Sequence, residues 1–126
     1  MARAVGVGGV FLKARDPGAL SAWYAKYLGI PEQEGGALAF DGPESFGMTV
    51  FSYFPADSGY FGQGAQQAMV NFRVDDLDAL LDQLGAEGIP IDPKREDHPY
   101  GRFAWIQDPE GNRVELWEPP PTPDTA

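Results

Sequence analysis

Glu115 is the carboxylate best placed for acid–base work. In Arg113-Val114-Glu115-Leu116-Trp117, strand alternation puts Arg113, Glu115 and Trp117 on one face. A carboxyl shielded beside an indole has a raised pKa and becomes usable as a general base. Paired with Arg113, Arg73 or Lys13, the same carboxyl would be a structural ion pair. Lys13 and Arg73 hold related places in two strands. They suit an anionic group, with Arg73 able to bind it in bidentate fashion, or they neutralise Glu115, or they are solvated. The single histidine, His98, falls in the polar run Glu96 to Arg102 and reads as a surface residue. Phe11, Trp105 and Trp117 supply flat apolar walls for a ligand, or belong to the core, and the face on which Trp105 lies is open. Gly59, Gly62 and Gly64 make no phosphate loop, because no Lys-Ser/Thr pair follows and no helix opens there.

The elements that must position these groups occur twice. Residues 10–31 read VFLKARDPGALSAWYAKYLGIP and residues 70–90 read VNFRVDDLDALLDQLGAEGIP. A strand, a helix and a turn recur, too few copies for a solenoid, which predicts two fused modules. Val5 to Ala14 reads as the first strand. Asp16 caps a helix with Pro17 in its first turn, and Leu20, Trp23, Tyr24, Tyr27 and Leu28 form its apolar face up to the stop at Gly29. Ala37 to Phe40 and Met48 to Phe54 are short strands joined at Asp41-Gly42-Pro43. Module one covers about 5–54, a loop about 55–66, and module two about 67–118.

Module two repeats the order. Gln67 to Val74 is a strand, Asp75 or Asp76 caps a helix carrying Leu77, Leu80, Leu81 and Leu84, and Gly88 ends it. Ile89-Pro90-Ile91 begins a short extended piece. Arg102 to Gln107 and Asn112 to Glu118 are strands around the turn Asp108-Pro109-Glu110-Gly111. The Pro-rich tail 119–126 reads as disordered or polyproline-like. Val10, Leu12 and Ala14, then Val70, Phe72 and Val74, then Val114 and Leu116, form faces that pack beneath the helices. The opposite face carries Gly9, Phe11 and Lys13, then Met69, Asn71 and Arg73, then Arg113, Glu115 and Trp117. Large apolar groups mixed with charges suit a ligand cleft.

At 126 residues the chain reads as one α+β domain. It has no cysteine, so thiolate chemistry and Cys-ligated metals are excluded. A net charge of −10 repels phosphate backbones and anionic lipid, which argues against nucleic acid and for a cationic or neutral ligand. No apolar run reaches membrane-spanning length, and the start MARAVGVGGVF reads as a strand, not a leader. The expected location is the cytoplasm.

Two motifs carry a resemblance. The first is Asp16, Leu20, Trp23-Tyr24 and Leu28-Gly29. The second is Trp105-Ile106-Gln107-Asp108-Pro109-Glu110-Gly111-Asn112-Arg113-Val114-Glu115-Leu116. Together they resemble the vicinal oxygen chelate superfamily of glyoxalase I, extradiol dioxygenases, and fosfomycin- and bleomycin-resistance proteins. The resemblance implies two βαβββ modules forming a curved mixed sheet around a cleft, and a homodimer. It makes the segment with Tyr100 and Arg102 part of the cleft rim. In metal-dependent members of that superfamily, His or Glu ligands come from the first and last strands of each module. The matching positions here are Gly9, Val50 (or Thr49 or Phe51 if the register slips), Met69 and Glu115. Three of these have lost their donors, and one His in the whole chain excludes a two-His iron site.

The expectation is therefore a small-molecule binding protein without a divalent metal or other cofactor. Its ligand would be contacted by Phe11, Lys13, Met69, Asn71, Arg73, Tyr100, Arg102, Trp105 and Trp117. The alternatives are a lyase- or isomerase-type enzyme with Glu115 as base and Lys13 or Arg73 stabilising an anion, and an interaction module without a ligand.

Overall fold

A computed structural model describes residues 1–31, 38–40, 49–62 and 66–121. The expected turn at Asp41 to Pro43, the ends Ala37 and Met48, and the tail beyond Pro121 lie outside the described residues. Among the described residues are seven strands in mixed β-sheet and two α-helices. They run β1 (Ala4–Ala14), α1 (Pro17–Leu28), β2 (Leu38–Phe40), β3 (Thr49–Pro55), β4 (Ala68–Val74), α2 (Leu77–Ala86), β5 (Ile91–His98), β6 (Gly101–Gln107) and β7 (Arg113–Glu118). The α+β architecture expected from the sequence is the one the chain adopts. Its contacts fall into two compact units, Val7–Asn71 and Met1–Gly6 with Phe72–Ala126. No helix among the described residues is long and apolar enough to cross a membrane.

In the unit Val7–Asn71, β3 lies between β2, antiparallel, and β1, parallel. The register pairs Gly9 with Val50. Asp16 starts α1 by accepting the Ala19 N–H at 3.0 Å, and Pro17 occupies the first turn where its missing N–H is no loss. Gly29 stops the helix at φ 67°, a left-handed conformation that a side chain disfavours. Between β3 and β4 the expected loop contains a short 3-10 turn, Gly59–Phe61, which buries Phe61 completely.

The apolar face expected for α1 is only partly buried. Trp23, Tyr27 and Leu28 are 49, 60 and 62% exposed, while Ser21 is buried and Tyr24 packs edge-on against Phe51 of β3 at 4.9 Å. The reason is rotational. At about 100° per residue, a contact stripe through Ser21 and Tyr24 leaves Trp23 and Tyr27 on the flank. There the two rings contact each other, their centroids 5.3 Å apart.

In the other unit β4, β7, β6 and β5 lie side by side. Val74, Leu77, Leu80, Ala104 and Leu116 build its core with Ala2, and Phe72, Leu81, Leu84, Ile106 and Val114 pack around them. Asp76 caps α2 through the Ala79 N–H, while Asp75 accepts the Arg3 N–H instead. Glu118 of β7 takes the next helix donor, Leu77 N–H, at 2.7 Å. The expected short piece after Gly88 is an eight-residue strand, β5. His98 therefore ends a strand, paired with Gly101, and does not sit in a polar loop.

Candidate functional site

The β6–β7 hairpin is set by its turn. Asp108 accepts the N–H groups of Glu110 and Asn112 at 2.9 Å, and Gly111 adopts φ 84°. The Asn112 side-chain amide, donating to Asp108 Oδ2 at 3.1 Å, and after it the backbone bonds hold the Asp108 carboxyl below its ordinary pKa. The resulting register places Glu115 opposite Trp105 and Trp117 opposite Phe103. Alternation then separates this face from Ala104, Ile106, Val114 and Leu116, which belong to the core beneath α2.

Glu115 is 1% exposed, buried more deeply than the partial desolvation expected beside Trp117. Trp105, itself 0% exposed, donates its indole N–H to Glu115 Oε2 at 3.0 Å. The face of Trp105, open in the sequence, is thus that of Glu115. Lys94 Nζ and the Arg113 guanidinium each lie 5.2 Å from the Trp105 ring centroid. Arg113 also donates to Asp92 Oδ2 at 2.7 Å. The Asp92 carboxyl is held below its ordinary pKa, first by the Lys94 N–H and then by Arg113. Lys94 and Asp92 went unrecognised because β5 reads Ile-Asp-Pro-Lys-Arg-Glu-Asp-His. That run lacks the apolar alternation of a half-buried strand and contains a Pro.

Aromatic groups continue along the hairpin. Trp117 stacks on Phe103 with centroids 6.1 Å apart, and its N–H donates to the Tyr100 carbonyl at 2.9 Å. Tyr100 is exposed and stacks on His98 at 4.8 Å. Gly101 makes this approach possible. It sits at φ 140°, and a Cβ there would run into the Trp117 indole. Arg102 points elsewhere. Alternation puts it on the α2 side, where it binds Asp78 Oδ2 at 2.9 Å. Arg73 of β4 lies against Gly6 of β1, where a Cβ would come 2.7 Å from its guanidinium.

The remaining singled-out residues belong to the unit Val7–Asn71. Met69 and Asn71 are buried. Phe11 contacts Phe54 edge-on at 5.7 Å, and Lys13 Nζ lies 5.4 Å from the Phe61 centroid. Gly9 and Val50 are register partners, and a Cβ on Gly9 would sit 3.2 Å from the Val50 Cβ and 2.7 Å from its carbonyl oxygen. The alternative positions alternate away: Phe51 packs on Tyr24, and Thr49 Oγ1 donates to the Val7 carbonyl. Gly9 thus has neither a donor nor room for a longer side chain, Val50 is hydrocarbon, and Met69 offers a thioether. This set does not fit a hard or borderline divalent ion. Among the described residues no three His, Asp or Glu groups converge on a point.

One feature escaped the sequence reading. An open groove of about 860 Å³ lies where β1 turns into α1, lined by Lys13, Ala14, Arg15, Asp16, Trp23 and Tyr24. The signal for it was Lys13-Ala14-Arg15 directly before the cap residue Asp16.

The family model described as the Glyoxalase/Bleomycin resistance protein/Dioxygenase superfamily matches residues 6–116. No curated protein sequence matches the chain. Among solved structures, methylmalonyl-CoA epimerase from Mycobacterium tuberculosis is 21% identical with a TM-score of 0.69, over 94% of this chain and 90% of that one. A methylmalonyl-CoA epimerase variant from Streptomyces coelicolor, in complex with 2-nitronate-propionyl-CoA, is 13% identical with a TM-score of 0.73, over 95 and 98%. A Mn(II)-bound glyoxalase from Novosphingobium aromaticivorans is 18% identical with a TM-score of 0.61; the match covers 94% of this chain and 40% of that one. At these identities the likeness is one of fold.

Proposed function

The chain belongs to the glyoxalase/bleomycin resistance protein/dioxygenase superfamily, and we propose that within it the protein binds a small organic molecule without a divalent metal. The observation that carries this reading is the replacement of donor atoms at Gly9, Val50 and Met69, with Gly9 packed too closely on Val50 to carry a ligand side chain. In the unit that holds Glu115, the mixed face of β6 and β7 supports the organic ligand. Trp117, Phe103 and Tyr100 offer flat apolar surface, and Arg113 with Lys94 frames Trp105. The test is a thermal-shift screen of the full chain against a broad organic library. A ligand present at about 100 times its Kd stabilises by about 2.7 kcal/mol, an easily read rise in Tm. A library that leaves Tm unmoved throughout would overturn the reading.

A second reading is favoured by the buried Glu115 and by neighbours that are epimerases. In it Glu115 removes a proton from a carbon acid, and Arg73 of the same unit faces the developing negative charge. Glu115→Gln keeps an acceptor for the Trp105 N–H but cannot take the proton. Turnover of a substrate found in the screen would then vanish in that variant, and unchanged turnover would end this reading.

A further inference from the structure

Helix α1 carries an aromatic row on its exposed flank. Ala19, Trp23 and Tyr27 recur at every fourth residue and so line up along the helix. All three are open to water. From Ala19 to Tyr27 the row runs about 12 Å. Trp23 is inclined by 78° to Tyr24 and by 47° to Tyr27, with centroids 5.0 and 5.3 Å away. Inclined rings do not close into a stack, so the indole keeps a face for another flat apolar group. At Ala19 the small side chain opens the row into the groove at the end of β1. Contiguous exposed apolar groups of this kind mark binding surfaces.

Charge restricts what covers the row. The chain holds 19 acidic residues against 9 basic ones, yet residues 17–28 contain no acid and one Lys. That Lys26 is exposed, its Nζ 5.2 Å from the Tyr27 centroid. An aromatic row with a basic edge suits an apolar, weakly acidic ligand. The chain contains such a ligand itself. Residues 119–124 read Pro-Pro-Pro-Thr-Pro-Asp. Pro120 and Pro123 have the P-x-x-P spacing that aromatic-lined grooves recognise in polyproline II form, which loses little entropy on binding. In that form residues 119–123 span about 15 Å, close to the length of the row. Pro120 and Pro121 are exposed and belong to no helix or strand. Glu118 before them is tied to the Leu77 N–H, so the prolines leave β7 from a fixed base. A stiff proline run does not fold back on itself, which favours a second molecule as its receiver.

We propose that the Pro-rich segment 119–123 of one copy docks along the Ala19, Trp23 and Tyr27 row of a second copy. Proline rings pack on the indole and phenol faces, and Asp124 meets Lys26 and so sets the direction of the segment. The row and the segment both lie outside the face that carries Glu115. This assignment therefore stands or falls independently of the function proposed for that face.

The test compares the full chain with a full-length variant carrying Pro120→Ala, Pro121→Ala and Pro123→Ala, by proton–nitrogen correlation NMR. The chain has three Trp, so each indole N–H resonance can be assigned by substitution. In the parent the Trp23 indole resonance should move as protein concentration rises, and in the variant it should stay in place. A peptide of residues 118–126 added to the variant should move that resonance saturably, and the same peptide with its four prolines replaced by alanine should not. Adding Tyr27→Ala to the variant should weaken the peptide about tenfold, and adding Lys26→Gln about threefold. No shift at Trp23 with the peptide, or an equal shift with the alanine peptide, would overturn the proposal. A concentration-dependent shift that survives in the proline variant would show another surface covering α1, and would overturn it too. Peptide binding beside a parent spectrum that ignores concentration would overturn the choice of a second copy. Undiminished binding in Lys26→Gln would overturn the direction.

Discussion

At Glu115 the carboxylate accepts the Trp105 indole N–H, and both side chains are shielded from water. Glu115→Leu removes that buried acceptor and should destabilise by about 1–3 kcal/mol. Urea denaturation would show it, and Glu115→Gln should avoid most of that loss because its carbonyl still accepts. Tyr53 presents the reverse case. Its hydroxyl is buried with no hydrogen-bond partner among the described residues, and burial, then Tyr24, pushes its pKa up to about 12. Tyr53→Phe should stabilise by about 1 kcal/mol at neutral pH. The raised pKa means the neutral hydroxyl favours the fold below the ordinary value of 10.0, an advantage lost as pH rises through about 12. The variant should therefore also unfold less readily in alkali. Glu115 was legible in the sequence because strand alternation assigns faces locally. Its partner was not, since only the register across the β6–β7 turn puts Trp105 opposite it.

At the scale of elements, α2 is held at its start by more than its cap. Asp78 in its first turn reaches Arg102 of β6 at 2.9 Å and Arg95 of β5 at 3.2 Å. Those bonds, Arg102's first, hold the Asp78 carboxyl below its ordinary value of 3.8. A depressed folded pKa stabilises above 3.8, and the contribution fades as pH falls below that through the folded value. Asp78→Asn should thus lower Tm modestly at neutral pH, and its curve should converge with that of the parent in strong acid. A gap that persists unchanged at low pH would assign the bridge no role. Both helices were legible from cap residues and leucine or aromatic spacing. The face of α1 was not, because a stripe of five apolar residues leaves its rotation free by a third of a turn, and packing of Tyr24 on β3 chose it. β5 was hidden by its charges, which an edge strand tolerates and a sequence pattern does not reveal.

For the whole molecule, the repeat of strand, helix and turn forecast two modules of α+β structure, and the motifs at Asp16 to Gly29 and Trp105 to Leu116 forecast the superfamily, with which the family model agrees over residues 6–116. The same scaffold supports several chemistries, so the fold leaves the activity to the site. Here the account rests on chemical identity at four positions, and Gly9 is the most telling. Its close approach to Val50 ties strand pairing to the absence of a ligand side chain. The most direct measurement is the metal content of the purified full chain after incubation with Mn²⁺, Zn²⁺, Ni²⁺ or Fe²⁺ and desalting, read alongside Tm with and without EDTA. The account predicts far less than one ion per chain and the same Tm in every sample. A stoichiometric ion whose removal lowers Tm, and which Glu115→Gln no longer binds, would contradict it.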